Sequence, residues 1–157
     1  MKITLLCIGR TRDQLLDKAI QRYVDRIGHY VGFSFQMLPD LKSTARLSEA
    51  QQKERDGAMI LGALQPGDHV VLLDERGREL TSRGFSEEIG RRMNSGLKRV
   101  VYVVGGPYGF SPEVYSRADS MMSLSRMTFS HEMVRLFFVE QIYRAMTIMR
   151  GEPYHHD

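Results

Sequence analysis

The sequence has a single cysteine and no long apolar run. With Cys7 alone no disulfide can form within the chain, and this scarcity of cysteine favours a reducing compartment such as the cytoplasm. No stretch approaches the roughly 20 apolar residues that a membrane-spanning helix needs, so we expect no membrane partner. The apolar run in Met1–Cys7 lacks the features of a signal peptide, and we interpret it as the first strand.

The sequence also lacks the motifs of several enzyme classes. No nucleophile elbow is complete, which argues against an α/β-hydrolase site. No G-x-G-x-x-G fingerprint or P-loop is complete either, which argues against a dinucleotide site and a P-loop nucleotide site. The adjacent His155 and His156 have no second ligand cluster at a suitable spacing, so no metal site is expected. The net charge is only +3, which permits an anionic partner such as RNA without requiring one.

Strand-like and helix-like segments alternate along the whole chain of 157 residues. No repeat, low-complexity segment or linker divides it, so we expect one domain over residues 1–157. The alternation predicts an α/β fold, a mostly parallel sheet with helices on both faces. Strands are predicted at 2–8, 33–38, 69–74, 99–104 and 120–124, and helices at 13–30, 48–64, 82–94, 111–119 and 132–150. Polar connections are predicted at 42–47 and 75–80.

Three predicted strands end in irregular, partly polar loops. The apolar strand 100–104 breaks into Gly105-Gly106-Pro107-Tyr108-Gly109, which is either a tight turn or a place where backbone approaches a ligand. Strand 70–74 ends at Leu73-Asp74, and strand 120–124 runs into the loop Leu124–Phe129. Because the carboxyl ends of parallel strands meet at one edge, we expect one shared pocket.

The loop Leu124–Phe129 mixes polar Ser125 and Thr128 with apolar Leu124, Met127 and Phe129. Such a loop is either a plain strand-to-helix connection or a wrapping for a flat, mostly apolar group such as adenine, with backbone N–H and C=O groups at its edge.

The last helix and the tail carry further candidates. Arg144 follows Glu140 by four residues, so it forms either a helix ion pair or a clamp for a phosphate or a substrate. The tail with Tyr154 and His155 is either a frayed end or an aromatic ring beside a proton acceptor, a pairing suited to holding a base.

Taken together, these motifs resemble the RlmH family of bacterial SPOUT-class methyltransferases. The resemblance extends from the first strand to the last residues. It is carried by Gly105–Pro112, Leu124–His131, Val134-Arg135, Glu140–Ala145 and Pro153–His155.

The resemblance implies that S-adenosylmethionine is the methyl donor and that N3 of a pseudouridine in 23S ribosomal RNA is the acceptor, in free RNA or in the assembled ribosome. It also implies a homodimer and a deep trefoil knot in the C-terminal half. The implied methyl-donor contacts are Leu73, Gly105, Leu124, Ser125, Arg126, Met127, Thr128 and Phe129. Arg126 stands at a variable position of the family loop, so its backbone is expected to matter more than its side chain.

For catalysis, we hypothesise that His155 takes the N3 proton, directly or through water. Arg144 and Arg135 would hold a phosphate or a base carbonyl, and Tyr154 would stack on or orient the base. Two other classes stay open on the residues alone: a nucleotide-binding α/β enzyme of another reaction type, and a ribosome-assembly protein that binds RNA without catalysis.

Overall fold

In the described part of the chain, five strands and five helices alternate, as the sequence predicts. The computed structural model describes residues 1–40 and 46–157. The strands are β1 (Lys2–Ile8), β2 (Gly32–Leu38), β3 (His69–Glu79), β4 (Arg99–Val104) and β5 (Ser120–Ser123). The helices are α1 (Gln14–Ile27), α2 (Glu49–Ala63), α3 (Ser82–Met93), α4 (Pro112–Arg117) and α5 (His131–Met149).

The strands form one sheet in the order β2-β1-β4-β3-β5, and every neighbouring pair is parallel. In the centre, Leu5 of β1 pairs with Phe35 of β2 on one side and with Tyr102 of β4 on the other. Parallel neighbours need crossover connections, and the helices supply them. All carboxyl ends therefore lie at one edge of the sheet.

Alternate side chains of each strand pack against different helices. Ile3, Leu5 and Cys7 of β1 face a core completed by α1, α3 and α5, whereas Leu6 faces a second core completed by α2 and α4. Helices thus cover both faces, which confirms the predicted α/β architecture. Cys7 is fully buried, and burial raises the pKa of its thiol to about 12, so this residue serves as a small apolar side chain.

Local signals start the helices where the sequence predicts. The Ser48 side chain accepts a hydrogen bond from the backbone N–H of Gln51, whose side chain bonds back to Ser48, completing the expected capping box of α2. Ser111 caps α4, with Pro112 at its first position, and Ser130 caps α5.

One predicted connection is wrong. Residues 75–79 of the charged segment 75–80 continue β3, and pairing with β5 resumes at Arg78 opposite Met122 after a register shift. Gly77 makes this possible, because a Cβ atom there would lie 2.5 Å from the backbone N and C atoms of Met122. Of the other predicted connection, 42–47, residues 42–45 lie outside the described part of the chain. Within the described ranges, no helix is long and apolar enough to cross a membrane.

Candidate functional site

The carboxyl ends of β3, β4 and β5 meet around two adjoining cavities. Leu73 and all six residues of the loop Leu124–Phe129 line a cavity of about 170 Å³. Leu73 also lines a neighbouring cavity of about 860 Å³, together with Gly105, Thr128 and Phe129. The eight residues expected to contact a methyl donor are therefore brought together at one edge of the sheet.

Glycines give the larger cavity a wall of bare backbone. A Cβ atom on Gly105 would lie 2.9 Å from the Phe110 ring, and one on Gly106 would lie 2.7 Å from Oδ2 of Asp56. Gly109 has a φ of +84° and donates its N–H to the carbonyl of Gly106 at 3.2 Å. The loop is tightly folded on itself, and its residues line the larger cavity.

The loop Leu124–Phe129 is shaped by its own serines. The Ser125 hydroxyl accepts the N–H of Met127 at 3.0 Å, and its carbonyl accepts the Ser123 hydroxyl at 3.0 Å. The Arg126 side chain is 92% exposed and pairs with Glu79 at 3.0 Å. The Phe129 ring packs on Phe137 with centroids 5.0 Å apart.

Asp74, which is not among the eight expected methyl-donor contacts, lines both cavities. Burial raises the pKa of this carboxyl group, but hydrogen bonds from the Tyr115 hydroxyl and the Arg76 backbone, with the charge of Arg76, outweigh burial and lower the pKa below its usual value. Asp74 is therefore ionised, and it pairs with the Arg76 guanidinium at 3.4 Å. The sequence signal that could have indicated Asp74 as a site residue is its position directly after an apolar strand segment.

The tail is folded onto α5. The Tyr154 hydroxyl donates to Glu140 at 3.0 Å, and its ring lies edge-on to Tyr143 with centroids 4.7 Å apart. Arg144 forms the ion pair with Glu140 at 2.5 Å and lies over the Tyr154 ring at 4.8 Å. The ion pair anticipated from spacing is therefore present, and it belongs to a cluster that includes the tail.

His155 joins the same cluster. Its Nδ1 atom lies 3.3 Å from a guanidinium nitrogen of Arg144, and its Nε2 atom lies 2.9 Å from Asp157. Arg83 of α3 holds Asp157 through both carboxylate oxygens, at 2.6 to 2.9 Å. Hydrogen bonds from Arg83 and His155 lower the pKa of Asp157 to about 2. We call Arg144, Tyr154, His155 and Asp157 the tail cluster.

Arg135 lies elsewhere, in the interior. Its side chain donates to the carbonyl of Ile8 at 2.7 Å and to the hydroxyl of Thr11 at 2.9 Å, and the residue is 1% exposed. In this position it ties α5 to the connection after β1 and offers no surface to a phosphate. The structure supports a positioning role for Arg135 in place of the anticipated RNA contact.

Replacing Arg135 with methionine is expected to lower the free energy of unfolding by about 2 kcal/mol, because the partly buried Ile8 carbonyl and the Thr11 hydroxyl both lose their hydrogen-bond partner. Urea denaturation measures this effect, and the exposed Arg91→Met is the control. A variant with wild-type stability and lost RNA methylation would contradict the positioning role.

The cavities and the tail cluster are separate within one chain. Val134 lines both cavities, and Arg144 lies ten positions further along α5. At 1.5 Å per residue this places Arg144 about 15 Å from Val134 along the helix axis. Across residues 1–40 and 46–157, no group of three or more His, Cys, Asp or Glu side chains converges as a metal site.

Comparisons with known proteins agree with this geometry. A family model described as "Predicted SPOUT methyltransferase" matches residues 1–155. The chain is 58% identical to Ribosomal RNA large subunit methyltransferase H of Christiangramia forsetii, over 99% of both chains. It is 55% identical to the protein of that name from Parabacteroides distasonis over the full length of both, and 51% identical to that from Flavobacterium johnsoniae over 99% of both. These matches run through the sheet, the cavity loops and the tail, and the chain therefore belongs to the SPOUT methyltransferase family.

Proposed function

We propose that this protein transfers a methyl group from S-adenosylmethionine to N3 of a pseudouridine in large-subunit ribosomal RNA. The observation that carries the proposal is the meeting of three strand ends around a glycine-walled cavity. The match to ribosomal RNA large subunit methyltransferases over the whole chain supports ribosomal RNA as the substrate. The choice of N3 rests on the resemblance to the RlmH family.

The cavity residues fit an adenosyl group with a positively charged sulfur. The larger cavity, at about 860 Å³, is within the usual range for ligands of that size. Leu73, Leu124 and Phe129 offer apolar surface for a flat base, and Gly105 lines the larger cavity without a side chain. The carboxylate of Asp74 complements a cationic ligand. When bound, S-adenosylmethionine supplies an already activated methyl group.

The residues of the chain then have two tasks: to position the acceptor base and to remove one proton. A neutral uracil-type N3 carries a hydrogen and is a poor nucleophile until that proton leaves. We assign the proton acceptor to His155, the holding of a phosphate or base carbonyl to Arg144, and the orientation of the base to Tyr154. Arg135 supports the site from the interior.

Both tasks require the tail cluster and the cavity to meet, and within one chain Arg144 lies about 15 Å from Val134 along α5. A homodimer in which the tail of one copy reaches the cavity of the other would unite them. The exposed apolar side chains of Leu15, Met127 and Phe137 provide surface for such contact.

The proposal includes the knot and a single domain over 1–157. After β4 the chain forms α4 on one face and β5 at the edge, and then returns through the loop Leu124–Phe129 to lay α5 between α1 and α3 on the other face. That path is compatible with a C-terminal trefoil knot. The single cysteine supports a cytoplasmic location, where ribosomes are found.

Calorimetry with S-adenosylmethionine tests the donor, and incubation with ribosomes from cells that lack the gene tests the acceptor. We expect binding of the donor, and mass mapping of the RNA is expected to find one added CH₂ mass at one pseudouridine. No binding would favour the RNA-binding assembly protein without catalysis. Binding without methylation of ribosomes or free ribosomal RNA would point to another substrate.

A further inference from the structure

The tail cluster contains an anchor that methyl transfer does not by itself require. Arg83, on the first turn of α3, holds the Asp157 carboxylate with a forked pair of hydrogen bonds, and Asp157 in turn contacts His155. The Arg83 and Asp157 side chains are 56% and 67% exposed, so the pair contributes little to stability. An exposed pair of this kind that reaches an active-site imidazole points to orientation of the ring.

The two neighbours of His155 determine which ring nitrogen carries the proton. Asp157 is ionised and can only accept, so Nε2 at 2.9 Å must be the N–H donor. The guanidinium of Arg144 can only donate, so Nδ1 at 3.3 Å must present its lone pair. Of the two tautomers of a neutral imidazole, they select the one with hydrogen on Nε2.

We propose that Asp157, held by Arg83, is a positioning residue that fixes His155 in the Nε2–H tautomer, and that Nδ1 is the atom that accepts the substrate proton. The proposal rests on the function given above. The N3–H bond breaks, and its proton goes to Nδ1. The electron pair stays on N3, which forms the N–CH₃ bond as the donor C–S bond breaks and leaves its pair on sulfur. The Asp157 carboxylate then faces a cationic ring.

Arg144 must leave Nδ1 before the proton can arrive there. Its contact with the ring is long, at 3.3 Å, whereas its other nitrogen is held by Glu140 at 2.5 Å. A small turn of the guanidinium therefore frees the lone pair without breaking the ion pair. Nδ1 stays covered until a phosphate or carbonyl oxygen draws Arg144 away, which confines proton transfer to the enzyme with RNA bound.

The test is long-range proton–nitrogen NMR on full-length protein with ¹⁵N-labelled histidine, combined with methylation kinetics on ribosomes. The wild type is expected to give the Nε2–H pattern for His155. In Asp157→Asn, Arg83 binds the amide oxygen and the NH₂ group faces Nε2, so the Nε2–H form loses its acceptor. Arg144 still favours a lone pair on Nδ1, so a mixture is expected, in which an Nδ1–H signal that is absent from the wild type appears beside the Nε2–H signal. The resulting kcat is expected to fall about 10- to 100-fold. Asp157→Glu is expected to restore part of the Nε2–H pattern and part of kcat. Arg91→Met, on the same helix as Arg83, is expected to change neither the tautomer pattern nor kcat.

A wild-type pattern retained in Asp157→Asn overturns the proposal whatever the activity of the variant. An altered pattern with unchanged kcat overturns the catalytic role of the tautomer. Failure of the proposed function is seen separately, as a wild-type protein that neither binds S-adenosylmethionine nor methylates ribosomes.

Discussion

His155→Ala is expected to lower kcat for ribosome methylation by about 10²- to 10³-fold, because the N3 proton then leaves to water without a positioned acceptor. The affinity for S-adenosylmethionine is expected to stay unchanged, since His155 lies with the tail cluster and away from the cavity of its own chain. Single-turnover methylation and calorimetry, run side by side, separate these two effects.

The matched control is His156→Ala. His156 is the adjacent residue of the same type, and it is exposed. It is expected to keep wild-type activity. A His155→Ala enzyme that folds and methylates normally would eliminate His155 as the proton acceptor, and equal losses in both variants would trace the effect to the tail in general.

Gly77→Ala is expected to destabilise the protein by about 3 kcal/mol and to weaken binding of S-adenosylmethionine. The added Cβ would lie 2.5 to 2.6 Å from three backbone atoms of Met122, and backbone in a paired strand cannot move aside as a side-chain tip can. Met122 lies two positions before the loop Leu124–Phe129, so displacement of β5 moves the cavity lining. Urea denaturation and calorimetry measure the two effects.

Gly62→Ala provides the comparison for that change. Gly62 lies in α2, and a Cβ atom there would have nothing within 4 Å. Alanine at this helical position is expected to stabilise the protein by about 0.5 to 1 kcal/mol. If Gly77→Ala unfolds at the same urea concentration as the wild type, the close packing of β3 against β5 is not a constraint.

The features that sequence predicts well here are those set by short-range chemistry. The capping box at Ser48, the N-cap at Ser111 and the apolar run of β4 each depend on a few adjacent residues, and all three are present in the structure. The clustering of Leu73, Gly105 and Leu124–Phe129 also follows from sequence, because carboxyl ends of parallel strands share an edge.

The missed features depend on contacts between distant residues. Residues 75–79 are mostly charged, so the sequence predicts a connection there although they extend β3. The extension depends on Gly77, whose lack of a side chain lets β3 pack against Met122 and resume its pairing with β5. Arginine is usually a surface residue, so the sequence gives no sign that Arg135 is buried. Its burial depends on a hydrogen bond to the Ile8 carbonyl, 127 positions away. The anchoring of His155 depends on Arg83, which no local pattern connects to the tail.

The central place of β1 has a consequence for how the protein is made. β1 lies between β2 and β4, so one of its edges stays open until residues 99–104 have been synthesised. Contacts of such wide sequence separation form slowly. During translation the nascent N-terminal half carries an unpaired, apolar strand edge, and that interval is when this chain has most need of chaperones against aggregation.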